Sequence, residues 1–129
     1  MMEEFLHPLL RAATFAAMLP LAACARDISA EMNPDQARDL HLFVSAYHYC
    51  VARTAARIDD GRAPVGDVAA TAMLHCQAEE RDIAGYLATI AVPADFTRRY
   101  IEDLLASAAR NSATMLLRQR APAPVTHPV

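Results

Sequence analysis

The chain has 129 residues, 54% of them hydrophobic, with 12 Arg, no Lys, 15 Asp plus Glu and a formal net charge of −3. That length allows one domain, and the apolar content excludes a wholly disordered chain because it is enough to build a core. Three glycines and no tryptophan in an alanine-rich chain argue against a turn-rich β-sandwich or barrel, and the weak negative charge argues against a nucleic-acid partner, which needs basic clusters to neutralise phosphates.

Residues 12–23 form a 12-residue apolar stretch that follows Arg11. This suits the hydrophobic region of a signal peptide and is too short for a spanning helix, which needs about 20 residues. Glu3 and Glu4 outweigh Arg11 ahead of it, where a signal peptide is ordinarily positive; a start codon placed slightly early accounts for that. The stretch closes on Leu21-Ala22-Ala23-Cys24, which resembles the lipobox of bacterial lipoproteins. The resemblance implies a signal peptide over 1–23, cut by signal peptidase II, and a lipid on Cys24. The mature chain would then be held on a membrane of the cell envelope, facing the oxidising periplasm. Ala25 is not the aspartate that retains many lipoproteins in the inner membrane, so the outer membrane is favoured. The resemblance covers the leader alone and speaks to sorting, not activity. Two other readings stand beside it: cleavage by ordinary signal peptidase at Ala23-Cys24-Ala25, and an amphipathic helix over 3–23 of a cytosolic protein.

Residues 24–33 read as a lipid-anchored tether, whose nine residues after Cys24 reach at most ~30 Å when extended. Asn33-Pro34-Asp35-Gln36 then marks a helix start: Asn33 is a good N-cap, Pro34 suits the first position, Asp35 favours the positive end of the dipole, and Gln36 completes a capping box. The spacing predicts a first helix over 34–59 with a stripe of Leu40, Phe43/Val44, Tyr47, Cys50/Val51, Thr54/Ala55 and Ile58, stopped by Asp59-Asp60-Gly61. A second helix is predicted from Pro64 to Ile90, its stripe interrupted by Glu79 and Glu80. Val92-Pro93 breaks the chain, because the residue before proline is pushed out of helical geometry. A third helix follows over 94–118, and 121–129 reads as a disordered Pro-rich tail. Three helices of about 25 residues, each roughly 38 Å long, favour antiparallel neighbours. The expected fold is all-α: an up-down-up three-helix bundle over 34–120 with one inter-helix disulfide.

That disulfide is expected between Cys50 and Cys76. The turn between the first two helices centres near residue 62 or 63, so Cys50 lies 12 or 13 residues before it and Cys76 lies 13 or 14 after it. Residues equidistant from the turn of an antiparallel hairpin face each other, and both cysteines fall on apolar stripes. Ala46 and Ala72, one turn away, leave room for the close approach a disulfide needs.

A metal site is not expected, nor any other cofactor. His48 and Cys50 point about 200° apart on a helix, His75 and Cys76 about 100° apart, and none of the usual paired-ligand spacings occurs. His75 and Glu79 are four apart, which permits a surface pair. Arg98 and Arg99 are placed to pair with Glu102 and Asp103. No nucleophile elbow, P-loop, dinucleotide fingerprint or zincin motif is present, so no catalytic residue is expected. The expected function is that of a small envelope lipoprotein, not an enzyme, with a binding or structural role and an envelope protein as partner. The alternatives are a non-lipidated periplasmic or cytosolic interaction protein and, from another class, a metal-responsive or enzymatic protein using His48, His75, Glu79 or Glu80.

Overall fold

The computed structural model describes residues 31–122. The leader, Cys24, the tether through Ala30 and the tail from Ala123 lie outside the described residues. Within them the chain is an all-helical bundle of four helices: α1 (Pro34–Ile58), α2 (Val65–His75), α3 (Gln77–Thr89) and α4 (Ala94–Arg120).

The start of α1 follows its local chemistry. The Asn33 side chain accepts from the Gln36 N–H at 2.9 Å, and the Gln36 side chain accepts from the Asn33 N–H at 3.1 Å. Two donors that the helix itself leaves without partners are thereby satisfied reciprocally. Met32, expected in the tether, packs against the core. At the other end α1 stops on Asp59 in an extended conformation, and Gly61 takes the left-handed backbone (φ 74°) within the turn. Asp59 accepts from the Gly61 N–H, and Asp60 accepts from the N–H groups of Arg62 and Ala63, so both carboxylates shape the connection to α2.

The single helix expected over 64–90 is two helices, and this is the main correction to the three-helix reading. Cys76 leaves helical geometry at φ −106° and ψ 23°, and its N–H bonds to Met73 O, one residue short of the α-helical partner. The Glu80 N–H then bonds to Cys76 O at 3.3 Å as α3 begins. No glycine or proline lies between Gly66 and Gly85, so propensity does not announce the break. Its effect is to give Glu79 and Glu80 a place in the first turn of a new helix. There the positive end of the dipole favours negative charge. Two acidic residues that would interrupt the stripe of a continuous helix thus sit where a helix start accepts them.

α3 ends in a Schellman motif with alanine at the left-handed position. Ala91 has φ 60°, its N–H bonds to Ala88 O, and the Val92 N–H bonds to Leu87 O. Helix α4 runs two residues beyond its expected end, to Arg120.

The core draws on all four helices. Leu40, Tyr47, Val51 and Ala55 come from α1, Val68 and Ala72 from α2, Ile83 and Leu87 from α3, and Leu104, Ala108 and Leu116 from α4. Two polar clasps fix the ends. The Tyr86 hydroxyl donates to Gln36 O at 3.1 Å, and its ring lies 5.1 Å from that of Phe43, joining α3 to the first half of α1. The Arg120 guanidinium donates through two nitrogens to both carboxylate oxygens of Asp59, and also to Ala63 O at 2.8 Å. The end of α4 is thereby tied to the α1–α2 turn.

Candidate functional site

The densest chemistry among the described residues surrounds the cross-link. Cys50 and Cys76 are disulfide-bonded with Cα atoms 6.0 Å apart, joining the middle of α1 to the α2–α3 break. The two sulfurs differ in access: Cys76 is fully buried and Cys50 is half-buried. Ala72 is buried one turn from Cys76 as expected, whereas Ala46 is exposed and does not line the contact.

Two further residues, Thr54 and Glu79, meet this bond, and Tyr47 lies one turn before Cys50 on the same helix. Thr54, one turn beyond Cys50, is buried, with its hydroxyl 3.9 Å from Cys76 Sγ. Glu79, one turn beyond Cys76, brings a carboxylate oxygen into a group with both sulfurs whose members lie within 4.8 Å of one another. Tyr47, one turn before Cys50, is fully buried, and its hydroxyl has no hydrogen-bond partner among the described residues. Burial pushes its pKa up to about 12, and the negative charge of Glu80 adds to that rise. The phenol is therefore neutral throughout the physiological range.

The other candidates stay apart. His48 is half-buried with its ring edge-on to Tyr47, and His75 is exposed at the end of α2. Neither histidine belongs to the group formed by Cys50, Cys76 and Glu79. His75 and Glu79 form no ion pair among the described residues, so the surface pair that their spacing permits does not form. Arg99 turns back to Asp95 at 2.9 Å and stacks over the Phe96 ring at 4.9 Å, so its expected pairing with Asp103 is replaced. An acidic residue N-terminal to its basic partner is the better orientation in a helix.

Glu79 falls on the apolar stripe in the sequence, but its meeting with the two sulfurs is not among the expectations drawn from it. The signal available was Cys76-x-x-Glu79, an i,i+3 spacing that puts two ligand-type side chains on one helix face. Asp59 reads locally only as part of a helix stop, and no local pattern joins it to Arg120, 61 positions away. The Arg120 hydrogen bond is the main force holding the Asp59 carboxyl below its ordinary range, helped by the Gly61 N–H and opposed by burial.

No family model matches the chain, and comparison with curated proteins and with solved structures returns no match. No helix among the described residues is long and apolar enough to cross a membrane.

Proposed function

We propose that the chain is a small lipoprotein of the cell envelope, anchored through Cys24 and facing the periplasm, that acts as a binding or structural module rather than as an enzyme. The observation that carries this reading is the Cys50–Cys76 disulfide. Disulfides persist in oxidising compartments and are rare in reducing cytosol. Such a bond in the core agrees with the compartment implied by the lipobox at Leu21-Ala22-Ala23-Cys24. In this reading α2 and α3 are two halves of one bent rod, which keeps the up-down-up path of a three-rod domain.

A binding role draws support from large apolar side chains left on the surface. Leu42 and Tyr49 are 62% and 65% exposed and lie seven residues apart on the outer face of α1. Apolar residues at helical spacing with no cover are the form in which a helix meets a protein partner.

The Cys24→Ala chain tests the anchor. It should lose incorporation of labelled fatty acid and either accumulate uncleaved or appear as a soluble, ordinarily cleaved form. A C24A chain that fractionates and labels like the wild type contradicts the lipoprotein reading.

A further inference from the structure

We propose that reduction converts the Cys50–Cys76 cross-link into a binding site for one borderline-soft divalent cation of the zinc type, with Cys50, Cys76 and Glu79 as its protein ligands. The donor atoms of these three residues already lie within 4.8 Å of one another. A tetrahedral zinc centre with Zn–S near 2.3 Å and Zn–O near 2.0–2.2 Å needs donor atoms ~3.5–3.8 Å apart. Once the sulfurs are no longer bonded, side-chain rotation is enough to reach that spacing, because the two Cα atoms stand only 6.0 Å apart.

Electrostatics favours a cation at this point. In the bonded form the sulfurs are neutral and Glu79 is the one anion of the group. In the reduced form two thiols sit beside that carboxylate, and ionising either brings like charges together at short range in a partly buried place. A divalent cation removes the repulsion, and thiolate ligands select zinc over magnesium or calcium. The Thr54 hydroxyl, 3.9 Å from Cys76 Sγ, is positioned to donate to the buried thiolate and so to orient it. Cys50 and Glu79 are half-buried, so the cation enters from their side, and a water completes the fourth position there.

The chemistry balances in two steps. A dithiol reductant delivers two electrons and two protons: the Sγ–Sγ bond breaks, both cysteines become thiols, and the reductant closes to its own disulfide. The cation then displaces the two thiol protons, which pass to solvent. A small-molecule disulfide, taking two electrons from the thiolates and two protons from solvent to become a dithiol, re-forms the Sγ–Sγ bond and ejects the metal. The site does not depend on whether Cys24 carries a lipid.

The test uses the full chain, reduced by a water-soluble phosphine, with cobalt(II) as a spectroscopic stand-in and zinc as competitor. The reduced chain should bind one Co²⁺ with thiolate-to-metal charge-transfer absorption, and zinc should displace it. The oxidised chain should bind none. C24A should behave as the wild type, C50A/C76A should lose the signal, and E79Q should weaken binding by about tenfold or more. Helicity is followed in parallel; should reduction unfold the chain, added zinc must restore the helices. Three results would overturn the site: no more cobalt on the reduced chain than on C50A/C76A, a signal lost in C24A, or wild-type affinity in E79Q. A reduced chain that stays unfolded in the presence of zinc would overturn it equally.

Discussion

Opening the Cys50–Cys76 bond removes a cross-link between residues 26 apart in sequence. In the chain-entropy treatment, a closed loop of that length restricts the unfolded chain by about 12 cal/mol/K, or about 3.5 kcal/mol at 25 °C. Reduction should therefore cost the fold about that much. The C50A/C76A chain should lose about 1 kcal/mol more, since the Cys76 sulfur is fully buried and its removal leaves a small void. For a domain of this size a loss of about 3.5 kcal/mol lowers Tm by roughly 15–25 °C. The assay is urea unfolding of the full chain followed by far-UV circular dichroism, oxidised, reduced and doubly substituted, with a chelator present to exclude metal. The urea slope should also rise on reduction, because the freed unfolded chain exposes more surface. Before the transition all three forms should keep the helical signal, since the apolar stripes remain. A loss below about 1 kcal/mol on reduction would refute the reasoning.

Three smaller perturbations follow from the geometry. Ala91→Gly should stabilise the domain by about 1 kcal/mol, because alanine holds the left-handed position at φ 60° that glycine occupies without penalty; an unchanged urea midpoint would deny that strain. Tyr47→Phe should raise stability by about 1 kcal/mol, since it deletes a fully buried hydroxyl that lacks a partner, and a fall would reveal a partner for it. Asp59 and Asp60 both have lowered pKa values, Asp59 chiefly through the Arg120 hydrogen bond and Asp60 through the Arg62 and Ala63 N–H groups. A depressed carboxyl contributes stability that is present above the ordinary carboxylate pKa of about 3.9 and is lost as pH falls through the lowered value. D59N should flatten that acid limb of a pH–stability curve, and an unaltered limb would contradict the role given to the clasp.

What could be read in the sequence was what depends on neighbours or on simple register. The Asn33–Gln36 capping box is a contact over three residues, and it forms. The Cys50–Cys76 pairing required only a hairpin turn near Gly61 and two stripes, and the bond is present. The break at Cys76 was hidden because no helix breaker marks it. Glu79 and Glu80 on the stripe were its trace, since a core-facing acidic pair in mid-helix conflicts with burial and a helix start relieves that conflict. The Arg120–Asp59 clasp and the meeting of Glu79 with the sulfurs depend on how the helices pack, and periodicity along one helix carries no information about either.

The most direct test of an anchored, oxidised envelope protein is the intact mass of the chain recovered from membranes with its thiols trapped by alkylation at harvest. The expected species begins at Cys24, carries several hundred daltons of lipid there, and has no alkyl group on Cys50 or Cys76. A chain recovered from the cytosol that still begins at Met1 and is alkylated at Cys24, Cys50 and Cys76 would contradict it.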